Sequence, residues 1–115
     1  MNISITAPLP NTTVPWSFTV NGTYDLGPGK KPVSATDSPG TISVVVYESD
    51  GTTPLPNTVV SPNPFTLPPG STSGGWGVMV NHQGNYTRAV ITATLTPTGG
   101  TQITTSVSGI NISQG

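Results

Sequence analysis

Apolar residues in this 115-residue chain recur at every second position over short runs, and Pro, Gly, Asn and Thr fill the gaps between them. Trp16, Phe18 and Val20 alternate with Ser17, Thr19 and Asn21, which gives a strand one buried face and one wet face. Seven such runs occur and none carries a 3.6-residue period, so the chain is expected to be all-β. Short strands separated by regular turn signals fit a seven-stranded antiparallel β-sandwich.

The runs can be placed individually. The first strand is expected over Asn2–Ala7, with Ile3 and Ile5 on one face, and it stops where Pro8 and Pro10 have no N–H to donate. The second spans about Val14–Tyr24. Thr41–Glu48 carries Ile42, Val44 and Val46 on one face and Val45 and Tyr47 on the other, which predicts a central strand. Ser49-Asp50-Gly51 reads as a tight turn. Thr53–Val60 is confined to a sheet edge by Pro54 and Pro56. Trp76, Val78 and Val80 mark a fifth strand, and Tyr86–Thr96 a sixth with Ala89, Ile91, Ala93 and Leu95 inward. In the last strand Ile103, Thr105 and Val107 share one face but Ile110 and Ile112 the other, so a bulge is expected at Gly109. Leu26–Pro39 and Ser61–Ser73 read as long loops. The expected core is Ile5, Phe18, Val20, Val44, Val46, Val78, Ile91, Ala93 and Val107. PLPNTTVPWSFTV at 8–20 is echoed by PLPNTVVSPNPFTL at 54–67, which fits the approximate two-fold of Greek-key sandwiches and, at least equally, chance convergence of turn-then-strand chemistry.

Fourteen Gly and thirteen Pro approach the composition of a disordered chain, but β-branched residues are plentiful and the net charge is only −1. The length fits one domain over residues 1–115, read as a module of a longer multidomain chain. Seven scattered charges give no basic patch, so a nucleic-acid binder is excluded. No apolar run is long enough for a membrane helix. With one histidine and no cysteine, zinc lacks ligands and no cofactor is expected. Asn-x-Ser/Thr acceptor sequences at Asn2, Asn11, Asn21, Asn85 and Asn111 matter only in a eukaryotic secretory setting.

Little chemistry is available. His82 lies in the polar stretch Asn81-His82-Gln83-Gly84 without a neighbouring acid and is expected to be a solvated turn residue. Asp25, Asp37, Glu48 and Asp50 are scattered in turns rather than paired across a cleft, and no dense Asp-x-Asp-x-Asp-Gly loop offers calcium a cage. Lys30 and Lys31 read as a solvated loop pair. The ligand-contact candidates are Trp16, Trp76, Tyr24, Tyr47 and Tyr86, since planar aromatics at a surface stack on sugar rings. Trp16 and Trp76 share strand faces with Phe18, Val78 and other core positions, which favours packing over display.

ISITAPLPNTTVPWSFTVNGTY (3–24) resembles the opening of bacterial immunoglobulin-like domains at Ile5, Pro8, Pro10, Val14, Phe18, Val20, Gly22 and Thr23. GTISVVVYESDGT (40–52) and GGWGVMV (74–80) are similar to segments of the group found in spore-germination and other cell-envelope proteins. The resemblance implies an immunoglobulin-like sandwich with no catalytic residues, extracellular or at the cell surface. It implies a structural, spacer or interaction module, with neighbouring domains, a protein or a glycan as partner. A carbohydrate-binding module using surface aromatics and a phage or virion decoration domain are the alternatives.

Overall fold

The computed structural model describes residues 2–26, 39–83, 87–98 and 100–113. Its strands are β1 (Asn2–Ala7), β2 (Thr13–Val14), β3 (Ser17–Asp25), β4 (Gly40–Glu48), β5 (Thr58–Ser61), β6 (Phe65–Thr66), β7 (Ser73–His82), β8 (Thr87–Pro97) and β9 (Ile103–Ile112). They form a four-stranded sheet, β1-β3-β7-β5, and a five-stranded sheet, β2-β9-β8-β4-β6. A sheet ordered first, second, fifth and fourth major strand, facing third, sixth and seventh, is the immunoglobulin arrangement.

Nine strands stand where seven were expected, because two-residue pieces were folded into longer runs or loops. The expected Val14–Tyr24 strand breaks at Pro15-Trp16, where a residue without an N–H ends the ladder. Thr13 and Val14 join the other sheet, pairing parallel with Asn111 and Ile112, so the sandwich is not wholly antiparallel. Phe65–Thr66 pairs with Thr41 and Ile42 inside the expected 61–73 loop. The loop expected over 26–39 lies mostly outside the described residues.

The two inner faces meet in one core. Phe18, Val20 and Tyr24 of β3 and Trp76, Val78 and Val80 of β7 face Ile42, Val44 and Val46 of β4, Ala89 to Leu95 of β8, and Val107, Ile110 and Ile112 of β9. Every expected core residue is buried except Ile5, which is half-buried while Ile3 takes the enclosed position. β1 slips register against β3 between Ile5 and Ala7, and Ala7 is still paired there with Asn21. Gly22 lies opposite Ile5. A Cβ there would drive into the Ser4 carbonyl oxygen, so this close approach of β1 needs glycine.

At the other irregularity Ile91 pairs with Val107 but Ala89 with Ile110, so three steps along β9 match two along β8. Gly109 occupies this expected bulge with φ of 73°.

β4 lies inside its sheet, between β8 and β6, as its apolar character on both faces predicts. β8 lines one edge for its whole length, while β6 pairs at Thr41 and Ile42 on the other. Non-strand groups fill the remaining rungs. Leu67 N–H donates to Gly40 O (3.1 Å), Leu55 N–H to Val46 O (2.9 Å), and Glu48 N–H to Thr53 O (2.7 Å). Val44 N–H donates to the Asn63 amide oxygen at 3.3 Å. The edge strand expected over 53–60 is reduced to β5, which pairs only with β7.

Register also fixes the ends of a body measuring 45 × 21 × 20 Å. Asn2 lies opposite Asp25, at the end of β3. Ser17, at its beginning, lies opposite Asn81. β9 runs parallel to β2, which leads directly into that beginning, so Asn2 and Ile112 lie at opposite ends.

Candidate functional site

Four of the five aromatic candidates lie among the described residues, and they differ in how far they are enclosed. Trp76 and Tyr24 project inward, 4% and 3% exposed. The Trp76 indole N–H donates to Thr23 O at 3.2 Å, and the Tyr24 hydroxyl shares a 2.7 Å hydrogen bond with Ser71 Oγ. Both polar tips are satisfied inside the fold, so neither ring is presented to a ligand. Trp16 is half-buried against the core, and its buried indole N–H has no hydrogen-bond partner among the described residues. Tyr47 is half-buried on the outer face of the five-stranded sheet, opposite Val90. Tyr86 lies outside the described residues. A flat surface platform of the kind sugar stacking needs is therefore not built by Trp76 or Tyr24.

His82 corrects the sequence reading. It is the last residue of β7, only 5% exposed, and continues the inward alternation of Trp76, Val78 and Val80. Its Nδ1 shares a 2.8 Å hydrogen bond with Thr58 Oγ1, and its backbone N–H donates to Trp16 O at 2.8 Å. Burial, partly offset by a hydrogen bond to the Pro56 carbonyl, pushes the imidazole below its ordinary range. The polar neighbours hid what the period-2 pattern carried.

Of the described acids, Asp50 is the one whose bonds define its state. The Asp50 carboxylate accepts the Thr52 and Thr53 N–H groups at 2.9 Å each, and also the Thr53 hydroxyl. These bonds favour the charged form and lower its pKa to about 2. The group is occupied by its own turn. Asp37, Lys30 and Lys31 lie outside the described residues. Among the described residues no three His, Asp or Glu side chains gather as a metal site would require.

One concave surface gathers polar groups. A cleft of about 310 Å³ opens at the end of the body where β9 finishes, lined by the Ala89-Val90 segment of β8. Asn11, Ser49, Arg88 and the Ser108-Gly109 bulge surround it. Two left-handed residues build one wall: Asn11 has φ of 62° and Gly109 has φ of 73°. A Cβ on Gly109 would collide with the Asn11 amide oxygen, so the bulge admits Asn11 only as glycine. The Asn11 N–H donates to Ser108 O at 3.4 Å. Sequence reading missed this site because its members are strangers in sequence, from positions 11, 49, 88 and 108. The one available signal was Arg88, the sole arginine of the chain, at the start of an apolar strand.

No family model matches the chain, and no curated protein does. Solved structures do. The E. coli chaperone DraB superposes with a TM-score of 0.63 at 12% identity, over 97% of this chain and 55% of that one. The CsuC–CsuE chaperone–tip adhesion subunit pre-assembly complex, from archaic chaperone-usher Csu pili of Acinetobacter baumannii, gives 0.57 at 13% identity, over 98% and 52%. The chain spans about half the length of either. At such identities the likeness is one of fold, and with the strand order it makes the chain an immunoglobulin-like β-sandwich.

Proposed function

We propose that this chain is a non-catalytic immunoglobulin-like spacer and interaction module of a bacterial exported protein, folding as one domain and holding neighbouring domains apart. The observation that carries the reading is the placement of Asn2 and Ile112 at opposite ends of a 45 Å body. Chain continuing from either end leaves along the long axis. The cell-envelope resemblance of residues 3–24, 40–52 and 74–80 and the pilus-chaperone fold support an exported, partner-contacting setting.

Two further features favour this role. The buried His82 faces Thr58, and Asp50 is consumed by its turn, so no described acid–base pair is aimed at a cleft. The sheet edges are blunted as well. β5 is four residues long between prolines at 54, 56, 62 and 64, and loop groups fill the outer edge of β4. Short, proline-flanked edges resist strand addition, so contacts fall to the ends and loops.

Single-molecule pulling tests the mechanical part. Tension on the two ends loads the parallel β2–β9 pair in shear, through Asn111 N–H to Thr12 O (2.9 Å) and Ser113 N–H to Val14 O (3.0 Å). Bonds loaded in shear break together rather than singly. A single high-force event is expected end to end, and a weaker one when the second handle is moved to the open turn at Gly51. Equal forces in both geometries, or gradual extension at low force, would overturn the spacer role.

A further inference from the structure

We propose that the Arg88 cleft binds the carboxylate of an acidic sugar residue in a glycan. The inference rests on the interaction-module reading and gives that module a ligand class. Three observations carry it.

The first is an unspent charge. Arg88 makes no ion pair or hydrogen bond with any described residue, although it lies in register with Asn111 and one rung from Glu48 on the neighbouring strand. The turn carboxylate beside Ser49, Asp50, accepts three bonds from Thr52 and Thr53. A guanidinium presents a planar fork of donors that matches a carboxylate through two parallel bonds.

The second is the chemistry of the rim. Around this cation stand two hydroxyls, Ser49 and Ser108, and the Asn11 amide, all neutral and able both to donate and to accept. That set suits a ligand whose remaining groups are hydroxyls. An acidic peptide would bring further carboxylates and amides, for which the cleft has no second described cation. Val90 supplies an apolar surface, and Tyr47, its partner, extends the same outer face.

The third is size and construction. About 310 Å³ lies at the lower end of small-ligand pockets and accommodates a single ring with its substituents. The wall comprises two residues in left-handed backbone conformations locked against each other, a feature that concentrates at binding sites. The cleft is therefore shaped before any ligand arrives.

The test is amide NMR of the intact chain titrated with tri-galacturonate, with an uncharged sugar trimer and tri-glutamate as comparisons. Saturable shifts are expected at Ser49, Arg88, Ser108 and Gly109 with tri-galacturonate, weakening as salt is raised. Arg88→Gln should weaken binding by at least roughly tenfold, the worth of a charged hydrogen bond, and Arg88→Lys should fall between. Both variants keep an exposed position exposed, and an unchanged, dispersed spectrum verifies their fold. Equal binding of the uncharged trimer, indifference to Arg88→Gln, or no shift with tri-galacturonate would overturn the proposal. Tighter binding of tri-glutamate at the same amides would overturn it in favour of an acidic peptide. The pulling experiment does not involve the cleft, so either result leaves the spacer role to be judged separately.

Discussion

Residues 8–12 and 54–58 share the sequence Pro-Leu-Pro-Asn-Thr and fold alike up to a point. Asn11 and Asn57 both adopt the left-handed conformation, with φ of 62° and 56°. The following threonines each turn a hydroxyl back on the segment, Thr12 to Leu9 O at 2.6 Å and Thr58 to Pro56 O at 3.0 Å. A short strand, a proline break and a crossing between sheets come next. The first copy crosses from the five-stranded sheet to the four-stranded one and the second returns, as a two-fold relation requires. Their leucines part company: Leu9 is 62% exposed and Leu55 only 8%. Leu55 lies along the edge of β4 beyond β6 and gives its N–H to Val46, whereas the first copy is anchored by Asn11 to the β9 bulge. Turn chemistry is local and repeats with the sequence. Whether a leucine joins the core depends on which edge runs beneath it.

The sharpest way to break this comparison is Leu→Ala in each copy. Leu55→Ala should cost about 2–5 kcal/mol and Leu9→Ala within about 0.5 kcal/mol, measured by urea unfolding. Similar losses would mean the two leucines are equivalent after all. Gly109→Ala should cost about 1–3 kcal/mol and act on the first copy alone, seen as faster amide exchange at Asn11 while Gln83, whose N–H donates to Asn57 O, stays protected. Asn57→Ala should cost about 1–2 kcal/mol, and Asn57→Gly should recover most of it, because the strain lies in the φ angle.

The smallest effect is a pH dependence peculiar to the second copy, whose Thr58 meets His82. The folded pKa of His82 lies below its unfolded value near 6.5, so the unfolded chain takes up the proton first as acid is added. Stability should therefore be full above that value and decline as pH falls below it. His82→Gln should flatten the profile between pH 7 and 5, and a profile unchanged by the substitution would mean His82 is not buried neutral.

Much of the fold is legible in the sequence where burial has a period. The alternation through Trp16, Phe18 and Val20 and the phase flip at Gly109 both state which side faces inward, and the structure places them so. Hydrogen-bonding neighbours have no such signature, which is why β2 and β6 are invisible as strands. His82 was misplaced because turn composition outweighed a period that ran two residues further. The Arg88 cleft was illegible for a different reason: it exists only after Asn11, Ser49, Arg88 and Ser108 have been brought together by three separate strand pairings.

Gly22 and Gly77 are both strand glycines of the four-stranded sheet, but the close approach of β1 makes them unequal. At Gly77 an added methyl would meet Asn21 Cβ at 3.5 Å, an ordinary contact, so the position has room for variety. At Gly22 the added atom would occupy the space of the Ser4 backbone, which cannot retreat without undoing the pairing of β1 with β3. Among all sequences that keep this fold, position 22 has an alphabet of one letter.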